Sequence, residues 1–379
     1  MINITDKHNC CGCSACASIC PKHCITMQED EEGFLYPQID TATCIDCGLC
    51  EKVCPYLNAS ETNEPIVSYA AKNTDEQVRS TSSSGGIFTP IAENIIASGG
   101  IVYGACFNDQ WEVQHAKAET KQKLSAFRRS KYVQSRIGPT YKEIETLLKD
   151  GRKVLFSGTP CQVAGLRLFL RKDYDSLITL DIVCHGVPSP KIWREYVAQL
   201  PMEGVADILF KDKSTGWRGY SFSLRNADGD TLFVERASKN KYLSAFSRNL
   251  ILRPSCFNCP AKSGQSHSDI TLADFWGVEK IHPEMDDNKG TSIVLCNTEK
   301  GRKLVESLQL NKIQTDYQTY STIPFNSCSI RSTQEPENRK DFWSKYEIDG
   351  IRALMALPKP PKPSIIKRIL NRINSSLIL

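Results

Sequence analysis

Two copies of one cysteine motif near the start of the chain limit what it can fold into more than any other feature. The copies read Cys10-x2-Cys13-x2-Cys16-x3-Cys20-Pro21 and Cys44-x2-Cys47-x2-Cys50-x3-Cys54-Pro55. Thiols this close together form disulfides, bind zinc or hold iron–sulfur clusters. The first twenty residues contain no apolar run that could form the core of a signal peptide, which predicts a cytoplasmic protein. In a reducing cytoplasm, dense cysteines indicate metal or redox chemistry rather than disulfides.

The spacing within each copy distinguishes the two metal alternatives. Zinc sites usually use two CxxC pairs separated by a longer loop. The run seen here is that of bacterial two-cluster ferredoxins, in which the fourth cysteine of each copy binds the other cluster. The sequence therefore predicts a ferredoxin module with two 4Fe–4S clusters at residues 1–60. One cluster is assigned Cys10, Cys13, Cys16 and Cys54, and the other is assigned Cys20, Cys44, Cys47 and Cys50.

The rest of this module is predicted from the residues that lie outside the ligand sets. The segment "GFLYPQID" is interpreted as a short strand pair joined by a proline turn. Cys11 and Cys24 belong to neither ligand set, and we interpret them as spare thiols.

A two-cluster module only transfers single electrons, so the remainder of the chain is expected to hold the redox site that it serves. After a polar linker at residues 61–65, strand and helix signals alternate as in an α/β domain. In "SSSGGIFTPIAENIIASGG", a polar loop at residues 82–86 opens an apolar helix. Free amides at a helix start suit phosphates, although a capped helix without a ligand fits this loop equally well.

The charge of the chain is mild overall but locally concentrated. A formal net charge of +4 over 379 residues does not predict nucleic-acid binding, and no apolar stretch is long enough to span a bilayer. Arg128, Arg129 and Lys131 nevertheless lie beside Tyr132 in "FRRSKYVQS". This strip could hold an anionic cofactor or substrate, or it could be a solvated basic face.

Two further cysteines are predicted at the carboxyl ends of neighbouring strands. In "KVLFSGTPCQ", Thr159 is predicted as a helix N-cap and Pro160 as the first helical residue, so Cys161 falls in the first turn. In "LITLDIVCHG", a hydrophobic strand leads to Cys184 and His185. Open α/β sheets bind their ligands at this edge. His185 is the candidate catalytic residue, as a proton donor, although a histidine hydrogen-bonded within a loop is the commoner case.

A CxxC pair at Cys256 and Cys259 completes a candidate metal site. Together with Cys161 and Cys184 it could bind a third 4Fe–4S cluster. A zinc site with the same four ligands, or unrelated buried thiols, are the alternatives.

Six motifs in order resemble those of the coenzyme F420 hydrogenase/dehydrogenase beta-subunit family. They are "SSSGGIFT", "SKYVQS", "GTPCQVAGLR", "DIVCHGVPSP", "CFNCP" and "ITLADFWGV". The resemblance implies that the α/β domain binds FAD and exchanges electrons between the flavin and iron–sulfur clusters. By position it implies FAD contacts at Ser83, Ser84, Gly85 and Gly86 for the phosphates, at Lys131 and Tyr132 for the flavin region, and at Thr159, Pro160 and Gln162 for the ring. It also supports Cys161, Cys184, Cys256 and Cys259 as cluster ligands.

The expected architecture is an α+β ferredoxin-like module with two 4Fe–4S clusters, followed by an α/β flavin-binding catalytic domain. Residues 66–145 and 146–345 would form the two parts of that domain. Residues 346–379 are predicted to form a basic amphipathic tail, which could touch an anionic membrane surface or dock a partner.

The resemblance also implies an activity, which is that of an oxidoreductase exchanging hydride at the flavin with coenzyme F420, a deazaflavin, or with a small reducible metabolite. Many bacterial relatives occur beside polysaccharide genes, which suggests a role in polysaccharide biosynthesis. A second interpretation is an electron-transfer subunit that has no substrate of its own and works with a ferredoxin-like donor or a partner redox subunit. A zinc-stabilised scaffold is the non-redox alternative.

Overall fold

The computed structural model describes residues 1–358, and its N-terminal module is built on one small antiparallel sheet. Its elements are α1 (Ala15–Ile19), β1 (Ile25–Glu29), β2 (Leu35–Ile39) and α2 (Leu49–Lys52). Asp30 closes the turn between the strands, because its carboxylate accepts the N–H groups of Glu32 and Phe34. Pro37 lies inside β2 opposite Met27, so the expected proline turn is wrong. A two-stranded sheet has open edges, where a proline removes no ladder hydrogen bond.

The strands of the remaining chain form two sheets. In chain order they are β3 (Val67–Asn73), β4 (Ile101–Phe107), β5 (Val113–Ala118), β6 (Val154–Gly158), β7 (Leu177–Ile182), β8 (Asp207–Asp212), β9 (Ser221–Arg225), β10 (Thr231–Arg236), β11 (Ile270–Asp274), β12 (Ser292–Cys296) and β13 (Leu310–Thr315). The large sheet has the order β13-β3-β12-β11-β7-β6-β4-β5, and β8, β9 and β10 form the small one. Strands β4, β6, β7 and β11 run parallel to one another, whereas β5 and β12 pair antiparallel with them. The large sheet is therefore mixed.

Helices connect and cover these strands. They are α3 (Glu76–Ser80), α4 (Phe88–Ala97), α5 (Thr140–Lys149), α6 (Pro160–Leu170), α7 (Pro190–Val197), α8 (Lys241–Ser247), α9 (Val278–Ile281), α10 (Glu299–Glu306), α11 (Tyr317–Thr322), α12 (Arg339–Asp349) and α13 (Ile351–Met355). Helix α6 begins as expected, with Thr159 as its N-cap and Pro160 in its first turn. Within residues 1–358, no helix combines the length and the apolar character that crossing a bilayer needs.

The small sheet packs with the last helices of the described chain. Its core includes Trp193 of α7 and Phe210 of β8, and Tyr346 and Leu354 are buried in the same cluster. Residues 346–358, which we expected to begin a basic tail, thus pack onto this core through Tyr346, Leu354 and Leu357. The rest of the expected tail, residues 359–379, lies outside the described residues.

The N-terminal module packs directly on the larger domain. Cys13 and Val53 share a hydrophobic cluster with Tyr141 of α5 and Val163 of α6. Gly165 of α6 allows this close approach, because a Cβ atom there would lie 2.9 Å from the Sγ of Cys13. The module is therefore held at the amino end of α6, beside Cys161.

Candidate functional site

The four thiols predicted for the second cluster line one cavity. It contains about 360 Å³ of empty space and is bounded by Cys20, Cys44, Cys47 and Cys50. Cys24 also lines it, and its Sγ lies 3.3 Å from that of Cys20. A cubane cluster takes one thiolate at each of four irons, so the donor set fits a 4Fe–4S cluster.

The first predicted ligand set draws on both motif copies. Burial, and then the thiols of Cys10 and Cys54, raise the pKa of Cys16 to about 12. Burial also raises the pKa of Cys54, and the thiol of Cys10 contributes to that rise. Cys54 of the second copy therefore lies near Cys10 and Cys16 of the first, and their binding of one cluster stays a prediction.

The third predicted set assembles where β6 and β7 end. Burial raises the pKa of Cys184, and the thiols of Cys256 and Cys161 raise it further. Burial likewise raises the pKa of Cys256 to about 12, with Cys259 and Cys161 contributing. Within residues 1–358, no three Cys, His, Asp or Glu side chains are spaced to bind one metal ion. A cubane has a different requirement, because its four thiolates bind four separate irons.

Backbone N–H groups point at several of these sulfurs. The N–H of Val187 donates to the Sγ of Cys256 at 3.3 Å, and that of Ile2 donates to Cys50 at 3.3 Å. Hydrogen bonds to cluster sulfurs help set the reduction potential. The chain thus supplies N–H donors at sulfurs of both the second and the third set.

Cys11, interpreted from the sequence as a spare thiol, lies between the first and third sets. Its thiol packs in one cluster with those of Cys13 and Cys161. Cys13 and burial raise the pKa of Cys11, whereas Cys161 lowers it, and the net shift is upward. Tyr56 lies at the same place, since burial and the thiols of Cys11 and Cys259 raise its pKa. The two sets are therefore close neighbours, which no spacing in the sequence indicates.

His185 is hydrogen-bonded at both ring nitrogens. Its Nε2 lies 2.6 Å from the Oδ1 of Asn249, and its Nδ1 lies 3.4 Å from the Sγ of Cys328. Burial lowers its pKa, so the neutral ring dominates at neutral pH. The catalytic role of His185 stays a prediction.

The serine–glycine loop predicted to bind phosphates is tied to neighbouring backbone. Ser83 Oγ accepts the N–H of Ser130 at 2.8 Å, and Ser84 Oγ donates to the carbonyl of Thr291 at 3.0 Å. Gly85 approaches the sheet so closely that a Cβ atom would lie 2.5 Å from the carbonyl oxygen of Ala71. With Gly86, which has a φ of +79°, the loop turns back over the end of β3.

A broad basic groove opens beside this loop. It has about 1050 Å³ of empty space, open to solvent, and Arg128, Arg129, Ser130 and Lys131 line it together with Asp109 and Asp207. Arg129 is ion-paired with Asp207. The Nζ of Lys131 donates to the carbonyl of Arg128 at 2.8 Å, and burial lowers its pKa to about 7. The cations outside this ion pair, Arg128 and Lys131, suit an anionic, phosphate-bearing cofactor.

The remaining residues expected at the cofactor have partners within the protein. Tyr132 stacks on the ring of Phe246 at 4.7 Å. Thr159 and Gln162 cap α6, because the N–H of Thr159 donates to Gln162 Oε1 at 3.0 Å, and Pro160 borders a cavity beside Cys184. Thr159, Pro160 and Gln162 lie next to the third thiol set. The contact of these residues and of Tyr132 with a flavin stays a prediction.

A buried lysine–aspartate pair at the same edge of the sheet is absent from the sequence predictions. Lys211 Nζ donates to Asp274 Oδ2 at 2.6 Å and lies 4.6 Å from the ring centre of Trp276. Trp276 in turn stacks on Trp217 at 4.5 Å. The "ADFWG" stretch carries Asp274 and Trp276 and could have indicated this site, but Lys211 comes from a distant strand.

Sequence comparisons assign most of the chain to known families. Residues 68–139 match the N-terminal domain, and residues 151–318 the C-terminal domain, of the family described as "Coenzyme F420 hydrogenase/dehydrogenase, beta subunit". Residues 9–58 match a 4Fe–4S dicluster domain. The two beta-subunit matches include the third thiol set and the basic groove.

Individual relatives align with parts of the chain. A protein of Methanocaldococcus jannaschii named coenzyme F420-dependent sulfite reductase is 28% identical over 206 residues, which is 52% of this chain and 31% of that protein. An uncharacterized protein of the same organism is 24% identical over 208 residues, covering 46% of this chain and 56% of its own length. A 7Fe ferredoxin of Hydrogenibacillus schlegelii is 38% identical over 65 residues. This chain thus spans about half or less of the two longer relatives.

One solved structure resembles the chain over most of its length. It is a chain of the F420-reducing [NiFe] hydrogenase complex of Methanosarcina barkeri. The TM-score is 0.47 at 16% identity, with 75% of this chain and 91% of that chain covered.

Proposed function

The chain belongs to the coenzyme F420 hydrogenase/dehydrogenase beta-subunit family, a family of oxidoreductases, and we propose that it moves electrons between 4Fe–4S clusters and FAD. The observation that carries this proposal is the grouping of thiols. Cys20, Cys44, Cys47 and Cys50 line one cavity, Cys54 lies near Cys10 and Cys16, and Cys161, Cys184, Cys256 and Cys259 lie near one another where the parallel strands end. This grouping supports three ligand sets. Ligand sites of open α/β sheets lie at this edge.

Each thiol set would hold one 4Fe–4S cluster. The first comprises Cys10, Cys13, Cys16 and Cys54, the second Cys20, Cys44, Cys47 and Cys50, and the third Cys161, Cys184, Cys256 and Cys259. Cys11 lies next to both Cys13 and Cys161, so the first and third clusters would be neighbours and single electrons would pass between them.

The basic groove is the proposed FAD site. When bound, FAD would exchange two electrons with a substrate as a hydride and exchange them singly with the clusters. Arg128 and Lys131 would bind its phosphates by charge-assisted hydrogen bonds, a role for Lys131 that differs from the contact with the flavin region implied by the resemblance. Arg129, which is paired with Asp207, would shape the groove wall. Ser83, which is bonded to Ser130 at the groove wall, would hold the phosphate loop in place. His185 would hold a proton near the ring.

The substrate class is a hydride donor or acceptor. A deazaflavin such as coenzyme F420 is supported by the family assignment, and a small reducible metabolite is the alternative for organisms without that coenzyme. A cytoplasmic location and a part in polysaccharide biosynthesis stay predictions.

One surface feature favours a second candidate, an electron-transfer subunit that works only with a partner. Cys47 is exposed, and two apolar side chains of the module, Ile45 and Leu57, are 58% and 62% exposed. Exposed apolar groups beside a redox centre suit docking of a ferredoxin-like donor or a partner redox subunit. Such a protein would bind clusters and flavin but would reduce no substrate alone.

Anaerobic purification followed by iron, acid-labile sulfide and flavin analysis tests the proposal. Three cubanes would give about twelve irons per chain, and two would give about eight. Cys161→Ser should lower the iron from about twelve to about eight while the EPR signals of the N-terminal clusters persist. Cys296→Ser is the matched control, because Cys296 is buried in β12 outside all three sets. Zinc without iron in the wild-type protein would contradict the proposal.

A further inference from the structure

Arg253 is fully buried where the N-terminal module meets the catalytic domain. Its Nε donates to the carbonyl of Cys10 at 2.7 Å, and its Nη2 donates to that of Leu35 at 2.9 Å. Its Nη1 donates to Gln134 Oε1 at 3.1 Å. Among residues 1–358, no carboxylate lies within salt-bridge distance of this guanidinium, although buried charges are normally paired.

A cysteine sulfur lies where a counter-charge would be expected. The Nη2 of Arg253 lies 3.6 Å from the Sγ of Cys10. Burial alone would lower the pKa of Arg253, but the neighbouring Cys10 and Cys256 thiols contribute to raising it instead. Cys10 belongs to the first thiol set and Cys256 to the third, so the guanidinium lies between two proposed clusters.

The surroundings are shaped to hold the guanidinium. Its Cζ lies 4.2 Å from the ring centre of Tyr36. Gly12, between two ligands of the first set, leaves room for it, since a Cβ atom there would lie 2.8 Å from Nη1. Both Tyr36 and Gly12 come from the module, whereas Arg253 comes from the catalytic domain, so the contact forms only when the two parts are docked.

We propose that Arg253 is a positioning residue that raises the reduction potential of the cluster bound through Cys10. The inference rests on the proposed function, because it needs that cluster. Reduction adds one electron, supplied in the experiment by dithionite, and so adds one negative charge to the cluster. A fixed cation in a buried site stabilises the more negative form, because little water is present to screen the attraction.

The test is the reduction potential of the N-terminal clusters, measured by EPR during an anaerobic dithionite titration. Arg253→Met removes the charge and retains an unbranched side chain. It should lower the equilibrium constant for reduction of one cluster about tenfold, a shift of about 59 mV to more negative potential. The other N-terminal cluster should keep its potential. Arg253→Lys retains the charge and should shift the potential less.

Arg339→Met is the matched control. Arg339 is also a buried arginine that joins the two parts, through an ion pair with Glu32 and a bond to the carbonyl of Leu252. It makes its bonds to a carboxylate and a carbonyl and none to a cysteine sulfur, so its removal should move neither potential as long as the module stays docked.

The outcomes separate this inference from the proposed function. A wild-type protein without iron would overturn the proposed function. Full iron in Arg253→Met with both potentials unchanged would overturn the inference alone. If Arg253→Met does not fold, Arg253→Gln decides in its place, because it also removes the charge but keeps a hydrogen-bond donor. Full iron with both potentials unchanged in Arg253→Gln would overturn the inference.

Discussion

Burial of Lys131 in the basic groove predicts that FAD affinity depends on pH near neutrality. Burial lowers the pKa of Lys131 to about 7, with Cys106 opposing the shift and Arg129 adding to it. The ammonium is charged below that pKa and neutral above it. If the phosphates of FAD bind only the charged form, affinity scales with the charged fraction and should fall about tenfold between about pH 6 and about pH 8.

The direction in which stability changes with pH follows from the lowered pKa of Lys131, because burial disfavours the charged ammonium. The pKa of Lys131 is lower in the folded protein than its ordinary value, so the folded state releases a proton that the unfolded state still binds. Stability attributable to this side chain therefore rises with pH between about 7 and about 10.5, while anion binding falls. FAD affinity and stability should thus change in opposite directions.

The assay is the quenching of FAD fluorescence on addition of deflavinated protein under anaerobic conditions. Lys131→Met should bind FAD more weakly below pH 7 and should lose most of the pH dependence. Lys117→Met is the control, because Lys117 is an exposed lysine of the neighbouring strand β5. An affinity that falls equally with pH in Lys131→Met and in the wild type would refute the assignment of Lys131 to the FAD phosphates.

Two further predictions concern the contact between the module and the catalytic domain. Arg339→Met leaves the buried Glu32 without its partner and should destabilise the protein by about 3–5 kcal/mol in anaerobic urea unfolding. Adding Glu32→Gln should recover part of that loss, and a double variant no more stable than Arg339→Met would contradict the pairing. Gly165→Ala should gain about 1 kcal/mol from helix propensity but lose about 1–3 kcal/mol to overpacking against Cys13. A variant more stable than the wild type would show that the contact is loose.

Local chemistry made much of the fold and site predictable from the sequence. The cap of α6 follows from Thr159 and Pro160, because a helix start depends on a few adjacent residues. The nearness of Cys54 to Cys10 and Cys16 agrees with the repeated motif, in which the fourth cysteine of each copy serves the other cluster, whereas their binding of one cluster stays a prediction. The parallel run of β6 and β7 follows from their alternation with helices.

Contacts between residues that are far apart in the chain could not be predicted from the sequence. The contact of Cys11 with Cys161 joins residues far apart in the chain, and neither spacing nor hydrophobic pattern encodes it. The pairing of Lys211 with Asp274 likewise depends on how the small sheet meets the large one. Pro37 was predicted as a turn residue from its local preference, but the Asp30 turn and the open edge of a two-stranded sheet decide its place.

The positions of the three thiol sets suggest how electrons would travel under the proposed function. The second set lies at the surface, where Cys47 is exposed, and suits exchange with an external partner. The first set is next to the third through Cys11, and the third lies at the edge of the sheet where the flavin would bind. Arg253 contacts the first set and neighbours the third, so its charge acts on the interior step of this path. A substitution in the second thiol set should therefore affect electron exchange with a partner. A substitution of Arg253 should instead affect electron transfer within the protein, even when no partner is present.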